Sequence, residues 1–485
     1  MITMEEVKKV AQGYDIVPVC EEIMADVKTP IQVIGMLKTK YKHCFMLESV
    51  EKQERWGRYT FIGFEPVMEL TCVNHELTIR GTETVTKQVE HPKEEIEAIL
   101  NAYRSPKIEG MPSFTGGLVG YFSYDYLKYA EPTLKLKAED KEGFKDMDLM
   151  LFDKVIAFDN LKQKILIIVN VRTDDLEVEY EKAVSEIKNI KQMIQKEPFA
   201  GIPAGKLKSD LKGMYSEEAF CEKVNKAKDY IKEGDIFQVV LSNRMEAEYE
   251  GSLFNAYRVL RTTNPSPYMF YFSSDDLEVA GASPETLVKL EDKTVYTFPL
   301  AGTRPRGKDK KEDALLEQEL LADEKELAEH NMLVDLGRND LGKICEFGTV
   351  SLEQYMSIER YSHVMHIGST VRGTVRKEKH ALDAIEAVLP AGTLSGAPKL
   401  RAMDIIDELE DCKRGIYGGA IGYIDFTGNM DTCIAIRIAY KKNGKVYIRS
   451  GAGIVADSVP EKEYQECINK AKAVVNALTA GEEEL

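Results

Sequence analysis

The chain contains no Cys-x-x-Cys pair. Its eight cysteines (Cys20, Cys44, Cys72, Cys221, Cys345, Cys412, Cys433, Cys467) are scattered, which argues against a zinc ribbon and against a disulfide-stapled secreted scaffold. Seven histidines are too few for a histidine-based metal cluster. No apolar run approaches the roughly 18 residues of a membrane span. Positive charge is also short: 64 Lys and Arg against 81 Asp and Glu leave a net charge of −17. Such a surface repels phosphate backbones, which excludes general binding to nucleic acid or anionic membranes. An anionic small-molecule substrate would need a local cationic pocket. The start, MITMEEVKKV, lacks the basic-then-apolar layout of a signal peptide. There is no internal repeat, and no low-complexity tract beyond the acidic tail GEEEL. The expectation is a reduced, cytoplasmic protein.

What is present is an ordinary globular mix, 44% hydrophobic and 30% charged, in 485 residues, enough for two or three domains and a large core without disulfides. HCFMLES, RYTFIGF, VMELTCV and ELTIR, within residues 42–80, read as short strands, and KVIAFDN with KILIIVNV as a hairpin. Residues 173–196 carry apolar positions at helical spacing. The stretch 196–213 has Pro, Gly and Lys but no periodicity, so it reads as a linker between an N-terminal domain (10–195) and a second domain (214–480). Ser216 is a candidate N-cap and Gly234 a candidate C-cap for a helix between them. Further helices are expected over about 312–336 and 381–388, and at the C-terminus after a capping box at Ser458 to Glu461. Strands in antiparallel-looking runs with interspersed helices predict an α+β fold.

Several segments could carry chemistry. Gly451-Ala452-Gly453-Ile454-Val455-Ala456 follows a strand and fits a dinucleotide fingerprint, but no helix begins within the glycines and no second strand follows. Glycines that let backbone N–H groups approach an anion such as a carboxylate are the better reading. Glu326 and Glu329 share a helix face with His330, and Glu463 and Glu466 open the last helix. Four carboxylates from two helices suit a hard cation such as Mg²⁺, although Glu-x-x-Glu is common on solvated faces. His366 lies in an alternating stretch with His363 on the opposite face; a lone histidine is usually a structural hydrogen-bonder. The turns around Thr303 and Thr393 are rigid and rich in Gly and Pro. Arg437 interrupts an apolar strand, and an inward arginine needs an anionic partner.

Taken together, PLAGTRPRG, DEKELAEHNMLVDLGRND, RYSHVMHIGSTVRG, LPAGTLSGAPKLRAMDIIDELE, RGIYGGAIGYIDFTGNMDTCIAIR and RSGAGIVADSVPEKEYQE resemble the chorismate-utilising enzymes in content, order and spacing. Within them the chain is most similar to the anthranilate synthase component I branch. The resemblance is strong over about 210–478 and looser over MLES and ERWGRYTFIGF. It implies antiparallel β-sheets packed as a sandwich with flanking helices. It implies Mg²⁺ held by Glu329 and Glu466, with Glu326 and Glu463 close by. It implies chorismate bound by Gly302, Thr303, Tyr417, Arg437, Gly451, Ala452 and Gly453, with His366 as acid and base, Thr393 in the pocket, and Thr393 and Glu326 counted with His366 as catalytic. It also implies an L-tryptophan regulatory pocket built from Glu48, Ser49, Pro267, Tyr268 and Met269, partly in the N-terminal domain.

The same resemblance implies a chorismate amination that releases pyruvate through aminodeoxyisochorismate, in a heterotetramer of two synthase and two glutaminase chains. No cysteine here sits in a Gly-x-Cys-x-Gly elbow, so the glutaminase that makes ammonia would be a separate subunit. Two positions bear on the product. Relatives that form p-aminobenzoate precursors carry Lys where this chain has Ala301, and isochorismate and salicylate formers carry Lys where it has Gln238. Neither residue here can attack the ring or deprotonate water, which favours ammonia as nucleophile and anthranilate as product. The rival expectations are an aminodeoxychorismate synthase, an isochorismate or salicylate synthase, and a catalytically silent tryptophan-sensing subunit.

Overall fold

A computed structural model describes residues 3–49, 57–199, 201–361 and 364–483. Among these, the strands form two antiparallel sheets, one of thirteen strands and one of twelve. The pairing explains why so many strands are apolar without alternating in polarity. In the hairpin Lys154–Asp159 and Lys164–Arg172, Val155, Ala157, Leu166 and Ile168 face the gap between the sheets. Their neighbours Ile156, Phe158, Ile165 and Ile167 face helices on the outside. The residues still alternate with period two, but both faces are buried. The inter-sheet layer includes Phe45, Phe61, Phe152, Phe270 and Tyr440. Each such ring contributes about 1.5–3 kcal/mol by burial.

Helices cover both outer faces, so the architecture is an α+β sandwich with flanking helices. Pro30–Lys40, Leu176–Lys196, Phe254–Thr263 and Pro460–Ala480 pack on the first sheet. Glu324–Gly342 and Ala381–Val388 pack on the second. No helix among the described residues is long and apolar enough to cross a membrane.

Strands from both sides of residues 196–213 share each sheet: Cys44–Glu48 pairs with Tyr268–Ser273, and Gly117–Phe122 pairs with Ala420–Asp425. Two short strands in that stretch, Lys206–Leu207 and Lys212–Gly213, lie along Gln238–Glu250. The two lengths of chain therefore interleave in both sheets.

Local signals mostly hold. Ser216 Oγ accepts from the Ala219 amide at 3.3 Å, and Gly234 closes that helix at φ 86°. Two helix boundaries differ from the sequence reading. The single helix expected over 312–336 is two, Lys310–Ala322 and Glu324–Gly342, broken at Asp323. The Asp323 carboxylate accepts from the amides of Lys325 and Glu326 and from Arg304, which fixes it as a cap. The Ser458 capping box does not form. Pro460 takes the first helical position, and Ser458 Oγ accepts instead from the Val455 amide at 3.1 Å.

Candidate active site

The two sheets open at one place into a cavity of about 530 Å³. One wall is the strand Lys445–Ile454, which pairs along its whole length with Gln238–Glu250. On its other side, Ile438–Lys442 follows it only as far as Ile448. The neighbour's start is preceded by Arg437 in the left-handed conformation, φ 52°, which is uncommon for a non-glycine residue. Gly451 and Gly453 then line open space. A Cβ at Gly451 would meet the backbone Leu241 O at 2.8 Å, so glycine is needed there, whereas one at Gly453 would meet only the end of the Gln238 side chain, Nε2 at 2.8 Å. Ala452, between them, can face this wall only through its backbone. Strand alternation turns its side chain away from the cavity into the cluster of Phe220, Val239 and Cys467.

A buried ionic cluster braces this wall. Glu410 accepts from Arg414 and Arg449. Arg414 also donates to Leu394 O, beside Thr393, and to Val240 O, near Gln238. Arg449 donates to Ser242 Oγ at 2.8 Å. Glu410 and these two arginines are thus tied to the cavity's strands and to the Thr393 turn. Removing one partner of such a cluster costs about 3–5 kcal/mol.

Within the cavity, Arg437 is part-buried and its guanidinium has no hydrogen-bonded partner among the described residues. Burial lowers its pKa, partly offset by the nearby Glu285 carboxylate. Glu285 accepts from Thr393 Oγ1 at 3.0 Å, and burial raises its pKa. Tyr417 also lines the space and is pushed well above its ordinary range by burial.

His366 stands on the strand Val364–Thr374 opposite Thr303. Its Nδ1 lies 2.9 Å from Gly302 O and 3.1 Å from Thr303 Oγ1. A carbonyl only accepts, so Nδ1 carries the hydrogen and Nε2 of the neutral ring keeps its lone pair. Burial lowers the His366 pKa, and Arg437 and Lys470 lower it further. His363, expected on the opposite face, lies outside the described residues. His330 does not join the cavity. It is buried, with Nε2 2.6 Å from Ser369 Oγ, and burial lowers its pKa to about 4.

Glu326, Glu329, Glu463 and Glu466 all line the cavity. Burial raises Glu329 and Glu463, and in each case a neighbouring glutamate adds to the rise. Arg304 pairs with Glu326 at 3.4 Å and Lys470 with Glu466 at 2.7 Å. An all-carboxylate donor set of this kind fits a hard divalent cation that keeps some waters. The oxygens are not drawn into a tight cage. Among the described residues, the group of three with ligand atoms within 4.8 Å is elsewhere, at His43, Glu69 and Asp275.

Two lining residues escaped sequence reading. Glu285 follows Ser283-Pro284, which reads as a strand end, and Lys470 sits four residues after Glu466, which reads as a surface pair. Ala301 and Gln238 both line the cavity; Gln238 Nε2 lies 3.5 Å from Glu329 Oε1.

A second cavity of about 120 Å³ lies between the sheets, lined by Glu48, Ser49, Pro267, Tyr268 and Met269 among others. Ser49 Oγ is buried without a hydrogen-bond partner among the described residues. Tyr268 Oη donates to Asp431 at 2.8 Å. The Glu48 carboxylate is engaged elsewhere, accepting from Tyr257 Oη and Arg261 Nε at 2.6 Å each.

Comparison with known proteins matches this architecture to a class. A family model described as chorismate binding enzyme matches residues 42–476. Anthranilate synthase component 1 of Acetivibrio thermocellus is 48% identical over 490 residues, covering 99% of both chains. That of Aquifex aeolicus is 44% identical over 488 residues, covering 99% of this chain and 98% of its own. The crystal structure of anthranilate synthase component I from Streptococcus pneumoniae has a TM-score of 0.76 at 37% identity, covering 94% of this chain and 99% of that one. The chain therefore belongs to the chorismate-binding enzyme family and, within it, to the anthranilate synthase component I group.

Proposed function

We propose that this chain is a synthase subunit that converts chorismate and ammonia to anthranilate, pyruvate and water, the first committed step of tryptophan biosynthesis, in the cytoplasm. The carrying observation is the cavity's charge layout: a part-buried Arg437 whose guanidinium has no hydrogen-bonded partner among the described residues, in one space with four carboxylates and a histidine whose Nε2 is available. A dianionic substrate supplies what Arg437 lacks. Gly302, Thr303, Tyr417, Gly451 and Gly453 shape the space around it. Bound Mg²⁺, held by Glu329 and Glu466 with Glu326 and Glu463 beside them, would supply positive charge to a substrate carboxylate.

The reaction adds ammonia at C2 and expels the C4 hydroxyl as water, giving aminodeoxyisochorismate. Loss of the C2 proton and of pyruvate then gives the aromatic product. Hydroxide is a poor leaving group and needs a proton. Glu285, whose carboxyl burial shifts upward and Thr393 orients, is the group we assign to deliver that proton. His366, neutral with Nε2 unprotonated, is suited to take the C2 proton. The double duty expected of His366 is thereby shared.

Ala301 and Gln238 carry product choice. Neither offers a nucleophilic amine, and ammonia needs no base once it is deprotonated. Substituting Gln238→Lys is expected to divert part of the turnover to isochorismate, measured by product chromatography; anthranilate alone would remove the assignment. Ammonia in turn would come from a separate glutaminase subunit, in a complex of two synthase and two glutaminase chains. The isolated chain should use ammonium but not glutamine, and should gain glutamine use when the partner is added.

L-Tryptophan is proposed to inhibit by binding in the second cavity. The Ser49 hydroxyl there, without a hydrogen-bond partner among the described residues, offers a hydrogen bond to a ligand. Replacing Ser49 by Leu is expected to raise the half-inhibitory tryptophan concentration about tenfold or more, a loss of about 1.4 kcal/mol or more, while uninhibited turnover changes little. Equal sensitivity of variant and wild type in a tryptophan titration would count against the site.

A further inference from the structure

His43, Glu69 and Asp275 come together outside both cavities described above. His43 is the residue before the strand Cys44–Glu48, and Asp275 lies in the turn between Tyr268–Ser273 and Glu278–Ser283, all in the first sheet. Pairing of Cys44 with Ser273 brings these two close. Glu69 belongs to the strand Met68–Val73 of the second sheet, so the cluster spans the sandwich. His43 Nε2 lies 4.0 Å from Glu69 Oε1 and 3.9 Å from Asp275 Oδ2. Both gaps are too long for hydrogen bonds, which need about 2.7–3.2 Å. His43 Nε2 and Glu69 Oε1 are buried atoms with no hydrogen-bond partner among the described residues. Each is costly to bury unpaired, and they face one another across a space that a common partner would satisfy.

The spacing is that of ligands around one ion. Bonds of about 2.0–2.2 Å from a metal to imidazole nitrogen and carboxylate oxygen put two ligand atoms about 3.3–4 Å apart. The neighbouring cations do not take that position. Arg80 pairs with the other oxygen of Glu69, Oε2, at 2.8 Å, and the exposed Lys42 lies 3.8 Å from the other oxygen of Asp275, Oδ1. Lys145 Nζ is 3.6 Å from Glu69 Oε1, but it has closer acceptors in Asp148 at 2.8 Å and Asp276 at 3.2 Å. One imidazole with two carboxylates suits a borderline dication such as Zn²⁺ better than Mg²⁺, which takes oxygen ligands. Asp275 is exposed, which leaves the outer side of an ion to water. We propose that His43, Glu69 and Asp275 bind a divalent first-row transition metal of the zinc type, which ties the two sheets together at a point separate from the carboxylates of the main cavity.

The test is calorimetric titration of the full chain with Zn²⁺ in millimolar Mg²⁺, comparing wild type with His43→Gln and Asp275→Asn. Each substitution is expected to weaken one zinc site by about tenfold or more, since even the outer partners of metal ligands are worth about 10–100-fold in affinity. Asp275 is exposed, so its variant serves if the His43 variant does not fold. His75→Gln, at an exposed histidine outside the cluster, should change nothing. Wild-type crystals soaked in zinc should show an anomalous peak about 2.0–2.2 Å from His43 Nε2, shared with Glu69 and Asp275, and His43→Gln crystals should not. Equal zinc affinity in wild type and a folded variant overturns the site. So does a zinc peak confined to the cavity carboxylates or to cysteines. A peak in soaked crystals without a matching site in solution reports binding at crystal concentration only and overturns it as well.

Discussion

Replacing His366 by alanine is expected to lower kcat by about a hundredfold to ten-thousandfold, the range for loss of a general acid–base group, with chorismate binding largely retained. The ring is held by Nδ1 donation to Gly302 O, so its reactive Nε2 is set by backbone geometry. His366→Asn should not restore the rate, because an amide cannot take a proton. The pH profile follows from the same contacts. Burial, Arg437 and Lys470 hold the His366 pKa below its ordinary 6.5. The active form is the neutral ring, so kcat/KM is expected to be flat near neutrality and to fall as pH drops through that lowered pKa. A profile that rises toward acid would require the protonated ring and would reverse the assignment.

Arg437→Ala is expected to raise the KM for chorismate by about two to three orders of magnitude, from the roughly 2–5 kcal/mol typical of losing one partner of a buried, hydrogen-bonded charge pair. Arg437→Lys should recover part of this at most, since an ammonium lacks the flat two-pronged fork that matches a carboxylate. Steady-state titration of chorismate at saturating Mg²⁺ and ammonium measures both. A change confined to kcat would mean that Arg437 does not hold a substrate carboxylate.

Much of the site was legible because its residues break local rules. An arginine within DTCIAIRIAY, or glycines at the end of a good strand, has no structural purpose there, and both line the cavity. Of the three consecutive residues the motif names, a strand turns only alternate side chains into one space, so the Ala452 methyl packs in the core. Glu285 and Lys470 were missed because each has a commonplace local reading: an acid after a strand-ending proline, and an i, i+4 helix pair. The break at Asp323 was hidden in a run of helix-compatible charged residues. It depends on Arg304, 19 positions away.

The sheet order was not legible. Strands such as Lys164–Arg172 are apolar on both faces, so nothing in their composition says which neighbour lies on which side. Hence the chain reads as two successive halves, while Cys44–Glu48 in fact pairs with Tyr268–Ser273 more than two hundred residues later.

The central claim is that this cavity joins ammonia to chorismate at C2. The direct measurement is to incubate the purified chain alone with chorismate, Mg²⁺ and ammonium, follow anthranilate by its fluorescence, and identify all products by chromatography. The account predicts anthranilate and pyruvate in equal amounts, and none when glutamine replaces ammonium. Conversion of chorismate to isochorismate, or to a p-aminobenzoate precursor, without any anthranilate would contradict it.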